Sequence, residues 1–366
     1  MHQPTRQKYV KACFVLTILS LIYTQSFAQM SVYPAAFGMR YHYGFVVQHK
    51  KDMDALVSGH IPAFELYYRY NYSGVKEWEK FYNYPNAGLA LQLLNFNNSK
   101  MGVAYSLLPY VSFPLRKARI VELHFRTAAG LAYVTQKFDL DNNRKNGVIS
   151  SSLNGSVQFM LQANWKPIPQ MEIHTGLSFS HFSNGAFKIP NAGINIAGAN
   201  LGLNFNLNQA VRVNHNSFPV LYKQLRILAS LGGFVKEIKP VCGPKYIAST
   251  LSISALKRFS SKASWGGAID FMYDASLSSR ARQQMDELNM PVRIGAALCY
   301  ELHLNKISIP IQQGFYALNP LQLDGWLYQR VGIRYHANKK WIIQMNVKAH
   351  FAKADYLEAG FGYFIQ

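Results

Sequence analysis

About sixteen segments of this chain alternate apolar or aromatic residues with polar ones, and none downstream of the leader approaches the ~18 consecutive apolar residues of a membrane helix. The segments run over 37–48, 62–73, 86–96, 101–113, 120–136, 148–165, 171–181 and 199–207. A second series follows at 224–235, 246–259, 263–273, 292–304, 307–317, 327–336, 341–350 and 356–365. Successive strand side chains point to opposite faces, so each segment offers one apolar and one polar surface. Many are near or beyond the ~9–11 residues with which a tilted strand crosses a bilayer. Strands can span a membrane only by closing into a barrel, because no water is present there to satisfy an open edge. The expected fold is therefore all-β: an antiparallel transmembrane outer-membrane β-barrel of about 16 strands, with a range of 12–16 if short hairpins merge.

The connections carry a second pattern. If the first strand starts in the periplasm, every even-to-odd connection is a periplasmic turn. The short connections 166–170, 260–262, 305–306 and 337–340 all fall on that side. The longer ones at 49–61, 137–147, 182–198 and 274–291 fall on the other, as extracellular loops do. Two linkers break the rule, the aromatic-rich 74–85 and 208–223. The second reads as a join between an eight-strand unit and an added half. The expected organisation is a leader over 1–29 and a single barrel over 30–366, with additional strands from 208 onward.

The leader has a basic start (Arg6, Lys8, Lys11), an apolar stretch from Ala12 to Tyr23, and a small-x-small site at Ser26-Phe27-Ala28. That apolar stretch is too short to span a bilayer and reads as a secretory signal peptide. Charged residues make up 15% of the chain and aromatics 14%, whereas a soluble domain usually carries about a quarter charged residues. Without the leader, 35 Lys and Arg stand against 18 Asp and Glu, a net +17. A basic lumen and basic loops explain this, and so does attraction to anionic lipid head groups. The basic residues are scattered and the chain carries an export signal, so nucleic acid is not an expected partner. Once Cys13 leaves with the leader, Cys242 and Cys299 remain. One sits in a loop-like stretch and the other in a strand-like one, so a disulfide is the less favoured reading, and no spacing suggests a metal site.

The chemistry concentrates in LSFSHFSNGAFKIPNAGINIAGANLGLNFN, from Leu177 to Asn206. Strand alternation puts His181 and Ser183 on one face and Phe182 on the other. An imidazole beside a hydroxyl is the minimum pairing for an activated serine nucleophile. Asn184 follows, with an amide able to donate to a developing oxyanion. A lone His-x-Ser in a strand is common and more often has no catalytic role.

The pattern H-x-S-N-G followed by P-N-x-G-x-N, at a strand end in an exported β-rich chain, resembles the outer-membrane lipid A 3-O-deacylases (PagL-like acyloxyacyl hydrolases). The resemblance implies a small β-barrel with a His-Ser-Glu triad and no cofactor. It makes His181 the general base, Ser183 the nucleophile, Asn184 an oxyanion candidate and Asn191 a second asparagine at the site. The family's Glu falls on Asn195, which can hold the imidazole in one tautomer but supplies no charge to an imidazolium. The implied substrate is lipid A, lipopolysaccharide or a related outer-leaflet lipid, and loop parity puts His181 toward that leaflet. The PagL-like portion covers 30–207, and compact members of the family leave 208–366 unaccounted for.

Three further features stay open in the sequence. Arg40, His42 and His49 face either the lumen or lipid phosphates. Glu65 offers a carboxylate to His181 if strands two and seven meet. Asp139, Asp141 and Asn142 resemble a calcium loop but lack its glycine and terminal Glu, so a solvated loop is the stronger reading. The competing function is a non-enzymatic barrel, structural or a channel, since sixteen strands can enclose an aqueous pore.

Overall fold

The computed structural model describes residues 34–365 apart from 51–52, 54–55, 58, 117–119, 208–223, 284–289, 323 and 352. The leader and the 208–223 linker lie outside the described residues. The first eight strands are β1 (Ala35–Val46), β2 (His60–Asn71), β3 (Asn86–Asn95), β4 (Val103–Arg116), β5 (Val121–Val134), β6 (Leu153–Ile168), β7 (Met171–Ser183) and β8 (Ile194–Asn206). Then come β9 (Leu225–Glu237), β10 (Lys245–Arg258), β11 (Ala263–Asp274), β12 (Val292–Leu304), β13 (Ile307–Leu318), β14 (Leu327–His336), β15 (Trp341–His350) and β16 (Lys353–Phe364). All neighbours are antiparallel.

The single sixteen-strand barrel expected from the sequence does not form. Strand β8 closes on β1, from Ala36↔Asn206 to Val46↔Ile196, and β16 closes on β9, giving two closed barrels of eight strands. One alternating pattern serves either closure, and only the long-range register decides between them. The difference removes the sixteen-strand argument for a pore. An eight-stranded barrel is just wide enough for its own side chains to fill.

Here those side chains are polar and charged. Glu65 is fully buried in the first lumen, 2.7 Å from both Arg40 and Arg126 and 3.7 Å from His42. Arg69 grips Glu172 with two bonds of 2.7 and 3.2 Å, and Arg126 lies 3.8 Å over the Tyr110 ring. In the second lumen Asp270 accepts from Tyr328 and Arg330, while Asp355 takes Lys236 and Lys348. Buried charges are tolerated only when paired in this way. Removing one partner is costly. Glu65→Leu strands two buried guanidinium groups, so it is expected to cost about 3–5 kcal/mol. The check is the temperature at which the folded band disappears on unheated gels, and an unchanged temperature would remove this network from the stability of the barrel.

The outer surface is the reverse. Phe37, Met39, Tyr41, Tyr43 and Phe45 all point outward from β1, each about half exposed, while Arg40 and His42 point in. Trp165, Trp265 and Trp341 sit exposed at the rim that carries the short turns, as interfacial aromatics do. No helix among the described residues is long and apolar enough to cross a membrane. Among the described residues the barrels touch at both rims: Tyr82, after a short helix at Glu77–Phe81, donates to His303 O, and the β7–β8 connection meets β9 at the opposite rim.

Candidate active site

Strand β7 is anchored from inside. Phe182 and Ile194 are fully buried and join Val46, Leu94, Phe96 and Met101 in an apolar plug at the end of the first lumen. The residues on either side of Phe182 must therefore point outward, and His181 and Ser183 do, both half-buried on the external wall. On the neighbouring strand, Asn195 is the register partner of His181, with Asn195 Oδ1 2.6 Å from His181 Nδ1.

The shorter contacts in this chain of donors and acceptors are satisfied by one assignment of protons. His49 Nε2 lies 3.1 Å from Ala192 O, which can only accept, so the ring carries its proton there. A longer approach of 3.4 Å from His49 Nδ1 to Val47 O is then a contact between two acceptors. His49 Nδ1 is left to accept from Asn195 Nδ2, 3.3 Å away. That orients Asn195 Oδ1 toward His181, so Nδ1 of His181 is the protonated nitrogen and Nε2 keeps the lone pair. Gly193 stands at φ +76, and a Cβ there would come within 2.8 Å of the His181 ring. The ring is thus held from two sides.

Ser183 lies two residues along the same strand, about 7 Å by Cα spacing. Its register partner on β6 is Gly155, which is exposed and leaves the flank of the hydroxyl open. Among the described residues no hydrogen bond joins Ser183 to His181. Below the pair, Phe159, Leu161, Leu177 and Phe179 continue the outward face as an exposed apolar strip.

The asparagines divide into two roles. Asn184 is buried, and its Nδ2 donates to Ser150 Oγ, Ser151 Oγ and Lys188 O. Those amide hydrogens are engaged within the loop, so in this arrangement the side chain acts as a loop clamp. Asn191 Oδ1 accepts from Asn184 N at 3.2 Å, which leaves its Nδ2 end with no hydrogen bond among the described residues.

Glu65 does not reach His181. It lies on the luminal side of the wall while the imidazole lies on the outer side. His49, by contrast, was not placed at the site by sequence reasoning; the closure of β8 on β1 brings it there, with Val47 N donating to Asn195 O. Asp139 accepts from the backbone N–H groups of Asn142 and Asp141, which hold its carboxyl below the ordinary value, in an exposed turn. Cys242 is exposed, Cys299 is buried, and both are free.

A polar lumen, an apolar exterior and an aromatic rim define an integral β-barrel membrane protein. Residues 63–204 match the model of the lipid A 3-O-deacylase (PagL) family, and residues 224–366 match that of the acyloxyacyl hydrolase C-terminal domain. The chain belongs to the PagL family of outer-membrane proteins. No curated protein matches it. Among solved structures, Neisserial surface protein A is 10% identical with a TM-score of 0.33, covering 47% of this chain and 96% of its own. A mutant of the Rhodopseudomonas blastica porin is 8% identical with a TM-score of 0.17, covering 90% of this chain and 99% of its own.

Proposed function

We propose that this protein is an outer-membrane serine esterase that removes an ester-linked acyl chain from lipid A. The observation that carries this reading is the relay Ala192–His49–Asn195–His181, which leaves His181 Nε2 unprotonated on the face that carries Ser183. Ser183 Oγ attacks the ester carbonyl while Nε2 takes its proton. The tetrahedral oxyanion is met by the Gly185 N–H and by Nδ2 of Asn191. The imidazolium then returns its proton to the departing sugar oxygen, and water, deprotonated by the same imidazole, frees the fatty acid from the acyl-serine. The acyl chain lies along the apolar strip below Ser183, and the sugar head stays above the rim. The rim with the long connections faces outward, so the site opens into the outer leaflet. The chemistry uses only these side chains and water.

Mass spectrometry of lipid A tests the reading, comparing Gram-negative cells that express the protein with cells that do not. Loss of one hydroxyacyl or acyl mass with wild type is the expected result. Identical lipid A in both, across growth conditions, would favour a structural barrel that keeps the motif without chemistry.

A further inference from the structure

The two barrels are not symmetric in how they close. In the first, the closing ladder runs the full length of β1 and β8. In the second, the pairs stop at Ala359↔Gly233, although β9 continues to Glu237 and β16 begins at Lys353. The seam is therefore unladdered over its end near the long connections. The β7–β8 connection of the first barrel enters this gap. Ala186 O accepts from Glu237 N at 3.1 Å, as a further strand would. The Phe187 ring lies 5.6 Å from that of Phe234, and Lys245 Nζ sits 3.1 Å over it. Gly185 packs so closely on Leu357 that no Cβ fits.

These contacts fall on residues that need support. Gly185 and Ala186 stand at φ +61 and +66, two consecutive left-handed residues directly after Ser183 and Asn184. Only glycine adopts this region freely, so Ala186 requires its surroundings to hold it there. Asn184 clamps the connection from the first barrel, and the second barrel supplies the opposing surface.

We infer that the second barrel is a positioning device for the catalytic loop: the open β9–β16 seam receives residues 185–187 and fixes the Gly185 N–H at the oxyanion. Phe234 and Lys245 are its positioning residues. The inference rests on the deacylase reading for its catalytic half and on contacts alone for its docking half. It gives the second barrel a part in a site whose histidine and serine lie on the first.

The test uses the full-length protein in detergent micelles. Phe234→Ala is expected to lower kcat on lipid A about 10- to 100-fold, the cost of a small misplacement, with KM little changed. Phe234→Tyr keeps the ring and should retain activity. Amide hydrogen exchange at Glu237 and across 185–187 should quicken in Phe234→Ala and in Lys245→Gln. If Phe234→Ala does not assemble, Phe187→Ala in the first barrel probes the same contact and is expected to give the same two changes. Wild-type kcat with unchanged exchange in these variants would overturn the inference. Exchange is read without substrate. A wild type that leaves lipid A intact would therefore overturn the deacylase reading, while exchange still decides whether the second barrel holds the loop.

Discussion

Ser183→Ala is expected to assemble like wild type and to release fatty acid from lipid A only at the background rate, a loss on the order of 10⁴-fold or more. The side chain is half-buried on the external wall beside Gly155, so its removal disturbs neither the lumen nor a hydrogen bond among the described residues. His181→Ala should fall to a similar level, because a nucleophile and its base act as one unit and their losses do not add. The double substitution should then be no worse than either single one. The measurement is acyl release from purified lipid A, with the unheated-gel band as the control for folding. Full hydrolysis by Ser183→Ala would end the serine mechanism even with the fold intact.

The second large effect is expected at Asn195. Its Oδ1 is the acceptor that holds His181 Nδ1–H at 2.6 Å. Asn195→Leu removes the acceptor, lets the ring turn, and should cost about 10²-fold or more in kcat. Asn195→Glu keeps the acceptor and adds a charge that favours the imidazolium, so activity should be retained or raised. His49→Ala leaves Asn195 Nδ2 without its partner and should cost less, on the order of 10-fold, since Asn195 can still find His181. Equal rates in all of these proteins would remove Asn195 from the mechanism.

Much of the fold is legible in the sequence, and the reason is local. Polar and apolar residues alternate along each strand, as in Arg40 and His42 against Met39 and Tyr41, and turn lengths follow from the same strands. What alternation cannot encode is closure. Whether β8 pairs with β1 or continues into β9 is a contact across some 170 residues of chain, between Ala36 and Asn206. Everything that depends on it was hidden in the same way. His49 reaches Asn195 only through that seam, and Glu65, set opposite Phe64 and Leu66 by alternation and paired with Arg40 across the β1–β2 hairpin, meets Arg126 of β5 only because the barrel closes. His181 and Asn195 lie opposite each other because β7 and β8 are sequence neighbours that pair in register, and Ser183 follows two residues along the same strand. The role of Asn184 could not be read in this way, because its three acceptors include Ser150 and Ser151, more than thirty residues upstream on another connection.

The outward placement of His181 and Ser183 changes what concentration means for this protein. Under the proposed reading, a site that opens sideways into a leaflet would meet its substrate by two-dimensional diffusion, with no passage through the barrel. Turnover should then follow the surface density of the lipid and the fluidity of the leaflet, and dilution into excess detergent should slow it even at constant bulk lipid. Under the serine-esterase proposal, an inhibitor would first partition into the membrane, and its potency would track its affinity for the bilayer as much as its fit to Ser183.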